Sequence, residues 1–175
     1  MEPAAGLFLV AAPELGDSNF MRSVVYLLEH HAGGSLGVIV NRPLITPLCE
    51  LWEEVPSPLA GFAAAAEGGP VERHHGLLLH GVTDLPGSQS MGPGLALGGD
   101  LERIAVRWSA GPDQQGPRLF LGHSGWGPGQ LAVEIAQGGW ILRPGHIEAL
   151  LATSPDPHLW ERLVAGGGLP IPSLN

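Results

Sequence analysis

The stretch RLFLGHSGWGPGQLAVEIAQG, residues 118–138, decides how this chain is read. Leu119, Phe120 and Leu121 are a short apolar run with strand character. GHSGWG at 122–127 predicts a turn, and Pro128 opens a helical run with Leu131, Ile135 and Ala136 as core positions and Gly138 as its stop. Strand, glycine-rich turn and helix is a place where α/β proteins present ligand sites and nucleophiles, because backbone N–H groups converge there. Gly122-His123-Ser124 begins like the nucleophile elbow G-x-S-x-G. The elbow's second glycine is replaced by Trp126, whose indole crowds the close approach that glycine permits, and no acid-then-histidine order follows: His146 and His158 sit near helix starts. The segment therefore predicts a packing joint between strand and helix. His123, Ser124 and Trp126 stay as candidate ligand-binding residues, with no catalytic residue assigned.

Upstream, residues 6–11 are an apolar strand ended by Pro13, and 23–30 (SVVYLLEH) form a second. Alternation puts Val24, Tyr26, Leu28 and His30 on one face and Ser23, Val25, Leu27 and Glu29 on the other. Both faces are mostly apolar, so this strand is expected in the middle of a sheet. Residues 31–35 are a hairpin-length connection, and 36–41 (LGVIVN) return antiparallel. Thr46 with Pro47 predicts a capped short helix, the alanines at 63–66 are either helical or slack, and 76–82 (GLLLHGV) are a fourth strand. The Gly/Pro/Ser-rich segment 83–94 reads as an exposed loop. A brief strand at 95–97 follows, then Asp100 capping a helix with Leu101, Ile104, Ala105 and Trp108 on one side. After residue 138, Trp140-Ile141-Leu142 is a last strand, and two short helices at 145–152 and 159–165 close the order. Six or seven strands with helices inserted between them, and hairpins early, give an α+β fold with a mixed sheet rather than regular βαβ winding.

At 175 residues, 44% hydrophobic and 14% charged, the chain is one globular domain, expected over 1–168 with a proline-broken tail at 169–175. Net charge is −9, from 17 acidic against 8 basic residues, and every basic residue is arginine, a bias that fits a GC-rich genome. The arginines are scattered singly, which argues against direct nucleic-acid binding, since that needs a basic footprint on phosphates. One cysteine, no leader-like N-terminus and no apolar run approaching the ~20 residues of a membrane span lead to the expectation of a soluble, cytoplasmic protein.

Metal and phosphate chemistry find little purchase. His74 and His80 on one extended strand lie about 20 Å apart, and His75 and His80 face opposite sides. No CxxC, no H-x-x-x-H and no P-loop lysine exists, and GLALGGD at 94–100 is a weak dinucleotide look-alike. No cofactor or metal is expected. Arg22 at the entry of the second strand, and Asn41 and Arg42 at the exit of its hairpin partner, converge in an antiparallel pair. They either pair with carboxylates such as Glu29 or Glu50, or offer a site for a small anion.

Three motifs, GLFLVAAPELGDSNFMRSVVYLLEHHAGGSLGVIVNRP, GGPVERHHGLLLH and GHSGWGPGQLAVEIAQGGWIL, together resemble the bacterial AlgH/YqgE family in order and spacing, from Gly6 to about Val164. The resemblance implies a complex α+β fold with a barrel-like sheet. It also implies the family's label of a transcriptional regulator, and no assigned catalytic residues. His123 stands where the family usually has tyrosine, and the segment before Gly68 is richer in alanine than in its relatives. The expected function is a non-enzymatic regulatory or binding protein acting through a protein partner or a small ligand. The alternative is an enzyme with a pocket beside residues 122–127 that uses Arg22, Arg42 and His123.

Overall fold

The computed structural model describes residues 1–166; the expected tail at 169–175 lies outside them. The strands are β1 (Leu7–Ala11), β2 (Val24–His31), β3 (Gly34–Ile39), β4 (Pro43–Leu44), β5 (Ala65–Glu67), β6 (Val71–His80), β7 (Gln89–Ser90), β8 (Ala96–Leu97), β9 (Arg118–Trp126) and β10 (Trp140–Pro144). The helices are α1 (Leu48–Leu51), α2 (Leu101–Arg107), α3 (Gln130–Ala136), α4 (Ile147–Leu151) and α5 (Leu159–Val164). The strands join in the order β10-β1-β2-β3-β9-β6-β8-β7, with β4 and β5 as a side branch. All pairs are antiparallel except β5 with β9, and the sheet curls into a half-barrel. The α+β, mixed, barrel-like expectation holds, as do the β2–β3 hairpin and the central place of β2.

Alternation in β1 and β2 explains why both faces are covered. Phe8, Val10, Val24, Tyr26 and Leu28 pack with Phe120 beneath α4 and α5, through Leu150, Leu151, Leu159 and Leu163. Leu9, Ala11, Val25 and Leu27 point the other way, toward Trp126, Trp140 and Leu131 of α3. A third cluster collects Leu48, Leu59, Ile104 and Trp108 around Leu78 and Leu119. Each fully buried side chain of this size contributes roughly 1.5–3 kcal/mol, so the two-sided sheet is the main source of stability.

The largest departure from expectation falls on residues 122–126. They form no turn: β9 runs unbroken from Arg118 to Trp126 and is the central strand of the molecule. On one edge it pairs antiparallel with β3 through Ser124, Gly125 and Trp126, and parallel with β5 through Leu119, Phe120 and Leu121. On the other edge it pairs with β6, where Val71 stands opposite His123 and Gly76 opposite Leu121. Five steps along β6 thus match two along β9, so 72–75 bulge outward over Gly122, which adopts φ +74°. A Cβ on Gly122 would collide with the carbonyl of Gly69. Small residues here serve a close backbone crossing, which on paper is indistinguishable from a turn.

Other boundaries shift for local reasons. α3 begins at Gln130, after Gly129 in the left-handed conformation, and the Gln130 side chain accepts from the Gly127 N–H at 2.9 Å. α1 has Pro47 as its N-cap and no capping side chain, so Thr46 does not cap it. The alanines give β5, and β6 starts at Val71 rather than Gly76. Gln89 and Ser90 within the expected loop pair with β8. Asp100 caps α2 as expected, accepting from the N–H groups of Glu102 and Arg103 at 2.9 and 3.4 Å. Among the described residues no helix is long and apolar enough to cross a membrane.

Candidate functional site

The candidates chosen from sequence separate into three places. Ser124 is fully buried and donates its hydroxyl to the Gly68 carbonyl at 3.1 Å. Gly68 links the two sheet halves: its carbonyl also accepts from the Ile39 N–H, and its own N–H donates to Leu121. Ser124 is therefore a rivet in the joint, remote from solvent. His123 is half-buried opposite Val71 and lines neither of the clefts described below.

Arg22, Asn41 and Arg42 do meet, and mostly hold the chain together. The Asn41 Oδ1 accepts from the Val24 N–H at 2.9 Å while its amide donates to the Arg22 carbonyl at 3.0 Å, pinning the two strand ends. Arg22 has φ +57°, a left-handed conformation uncommon outside glycine. Its guanidinium stacks 4.2 Å from the Trp160 ring centroid and pairs with Glu161 at 2.6 Å. The expected partners Glu29 and Glu50 take no part. Arg42 folds back on the 17–21 turn, donating to the carbonyls of Asn19 at 2.6 Å and Met21 at 3.2 Å.

Arg42 nonetheless faces a cleft of about 270 Å³, lined also by Ser18, Asn19, Glu67, Gly69 and Arg73. Arg73 reaches it from the β6 bulge and donates to Asn19 Oδ1 at 3.3 Å. A guanidinium carries five N–H donors, and the one or two bonds that each arginine makes among the described residues leave several donors beyond them. Two of the chain's eight positive side chains thus border one cleft in a protein of net charge −9. Arg73 was invisible to sequence reasoning because the bulge that carries it is created by pairing with a strand fifty residues away.

A second cleft, about 400 Å³, lies on the far side of the same turn. Glu14, Leu15, Asp17 and Phe20 form one lip; Gln130, Glu134 and Gln137 of α3 form the other; Trp126 and Trp140 are in its wall. Both indole N–H groups donate to Glu134 Oε1, at 3.1 Å from Trp126 and 3.0 Å from Trp140, and Gln130 donates to Oε2 at 2.8 Å. Phe20 stacks on Trp126 at 6.1 Å and meets Trp140 edge-on at 5.5 Å. Of the sequence candidates Trp126 alone belongs here, and the residue that organises the group, Glu134, has no sequence signal beyond the polar face of a short helix.

The histidines do not assemble. His74 and His75 are exposed on the bulge, whereas His80 is fully buried. His80 Nδ1 accepts from the Val82 N–H at 3.1 Å and Nε2 lies 2.6 Å from the Gly98 carbonyl, so the neutral Nε2–H tautomer satisfies both. Burial pushes its pKa below the usual 6.5, partly offset by the bond to Gly98. Among the described residues no three His, Cys, Asp or Glu side chains are grouped to hold a metal ion.

A curled α+β half-barrel with two side clefts on either flank of one turn is the class these features define. The chain belongs to the AlgH-like family, whose model (DUF179) matches residues 8–171. It is 39% identical over 176 residues to a UPF0301 protein of Myxococcus xanthus, covering 95% of this chain and 91% of that one. It is 36% identical to another from Methylococcus capsulatus, covering 95% and 93%. The solution structure of the AlgH protein from Pseudomonas aeruginosa superposes with a TM-score of 0.73 at 28% identity, over 99% of this chain and 96% of that one. A crystal structure of a Corynebacterium diphtheriae protein gives the same TM-score at 25% identity, over 98% and 90%.

Proposed function

We propose that the protein is a non-enzymatic binding protein with a regulatory output, and that it takes a small anionic ligand in the cleft between Arg42 and Arg73. The observation that carries this reading is the convergence of two guanidinium groups with spare donors on one 270 Å³ cleft. Glu67 in the same lining favours a ligand that bears a hydroxyl or ammonium donor beside its carboxylate or phosphate. Two arginines suit a single anionic head, and the overall −9 charge disfavours a nucleic-acid duplex. Binding is favoured over catalysis because the one nucleophile in the signature segment, Ser124, has its hydroxyl sealed in the strand joint.

Arg73 is exposed and makes one weak bond, so Arg73→Glu keeps the fold and tests the cleft cleanly. Phosphate and citrate titrated into isotopically labelled protein are expected to shift the amide signals of Asn19 and Gly69 saturably, and the variant to lose that response. Saturable shifts elsewhere, or an Arg73→Glu variant that responds like the parent, would sink the assignment.

A further inference from the structure

The 400 Å³ cleft beyond the 17–21 turn has the opposite character, and it stands independently of the anion site. Three carboxylates, Glu14, Asp17 and Glu134, line it, and no arginine or histidine among the described residues does. Glu134 is the informative one. Its three hydrogen-bond donors are two indoles and one amide, all neutral, so its charge is oriented but not cancelled. Aromatic rings form the adjoining wall: Trp126 and Trp140, both buried and at 78° to one another, are covered by half-buried Phe20, which stacks on Trp126 and meets Trp140 edge-on. A concave, partly desolvated surface with one sign of charge concentrates the field and attracts the opposite sign. An aromatic ring beside carboxylates favours a flat cation over a compact, strongly hydrated one.

We infer that this cleft is a docking site for an arginine side chain presented by a basic segment of a partner protein. The guanidinium would lie against the half-buried Phe20 ring and direct its N–H fork toward the carboxylates, a pairing for which its planar geometry is suited. The charge complementarity continues outward: Glu14 and Asp17 are exposed on the lip, where a second basic residue of the segment passes.

Two of the five tryptophans are in the wall, so indole fluorescence reports occupancy directly. The probe is a short peptide, blocked at both ends, with one arginine among glycines; its controls are the lysine peptide, the all-glycine peptide and tetramethylammonium. The arginine peptide is expected to change the fluorescence saturably, about fivefold or more tighter than the lysine peptide, and to weaken in high salt. Glu14 makes no side-chain hydrogen bond among the described residues, so Glu14→Arg leaves the fold intact. That variant is expected to bind the arginine peptide about tenfold more weakly. An all-glycine peptide that binds as well, a variant that binds unchanged, or no saturable change at all overturns the site. Tighter binding of tetramethylammonium than of the arginine peptide overturns the partner-segment assignment in favour of a small organic cation. Phosphate titration at the Arg42 cleft is unaffected by any of these results, so the two sites fail or succeed separately.

Discussion

Replacing Arg118 by lysine, a change usually regarded as mild, is expected to harm this protein more than replacing it by methionine. Arg118 opens β9, is fully buried and has no carboxylate partner among the described residues; it donates to the carbonyls of Leu150 at 2.8 Å and Val40 at 3.0 Å and lies over the ring of Phe120. Burial pushes its pKa down to about 10, a fall that corresponds to about 3 kcal/mol against the charged form at about 1.4 kcal/mol per unit. Two bonds from a charged donor return about 1.5–3 kcal/mol each, so the guanidinium gains a few kcal/mol at most. Methionine removes the burial cost together with the bonds, leaves two carbonyls without a partner, and is expected to destabilise by about 1–3 kcal/mol. Lysine keeps a more strongly hydrated charge in the same place and reaches one carbonyl, and is expected to cost about 2 kcal/mol more than methionine. In thermal unfolding followed by tryptophan fluorescence, that difference puts the Arg118→Lys variant about 4–8 °C below Arg118→Met. The lysine variant also regains stability as pH rises toward 10. Its amine titrates below its unfolded value of about 10.4, so the unfolded state holds the extra proton in that window. Equal or higher stability of Arg118→Lys, with no gain at alkaline pH, would refute the argument that desolvation dominates at this position.

Ser124→Ala is expected to cost only about 1 kcal/mol in urea unfolding, because the Gly68 carbonyl keeps its bond from Ile39; loss of an enzymatic activity in this variant with the fold intact would contradict the joint reading. Gly69→Ala is expected to abolish folding, judged by circular dichroism, since φ is +153° and the added Cβ would meet the backbone of His123. His80 has a folded pKa below its unfolded value of 6.5, so its contribution to stability is present above pH 6.5 and is lost as pH falls toward the folded pKa. His80→Gln keeps a donor and an acceptor, and is expected to remove from the acid side of the stability profile a slope of up to about 1.4 kcal/mol per pH unit.

What could be seen in the sequence was what short-range physics decides. The two-faced alternation of Val24 to Leu28 identified a central strand, Asp100 announced its helix, and the three motifs carried the family likeness. What could not be seen depends on distant partners. Gly122 and Ser124 are small because the Gly68–Gly69 backbone crosses them, and small residues otherwise signal a turn. Arg73 joins Arg42 through a bulge that exists only in the β6–β9 pairing. Glu134 reads as the polar face of a short helix until Trp126 and Trp140, eight residues before it and six after, turn their N–H groups onto it. Arg118 sits beside Pro117 at the start of an apolar run, where a charge suggests a strand edge; Leu150 of α4 and Val40, just after β3, take its bonds in the interior.

The dual allegiance of β9 bears on how the molecule opens. The β3 half and the β6 half of the sheet share this one strand, and its Leu121 and Ser124 meet at Gly68. Neither half can detach as a sub-global unit without leaving the other with an unpaired central strand. Amide hydrogens of β9 are therefore set to exchange with solvent at the rate of whole-molecule unfolding, while those of β7 and the bulge at 72–75 exchange through local fraying. Ligands held at the bulge and at the 17–21 turn would dampen that fraying and leave the slow core untouched.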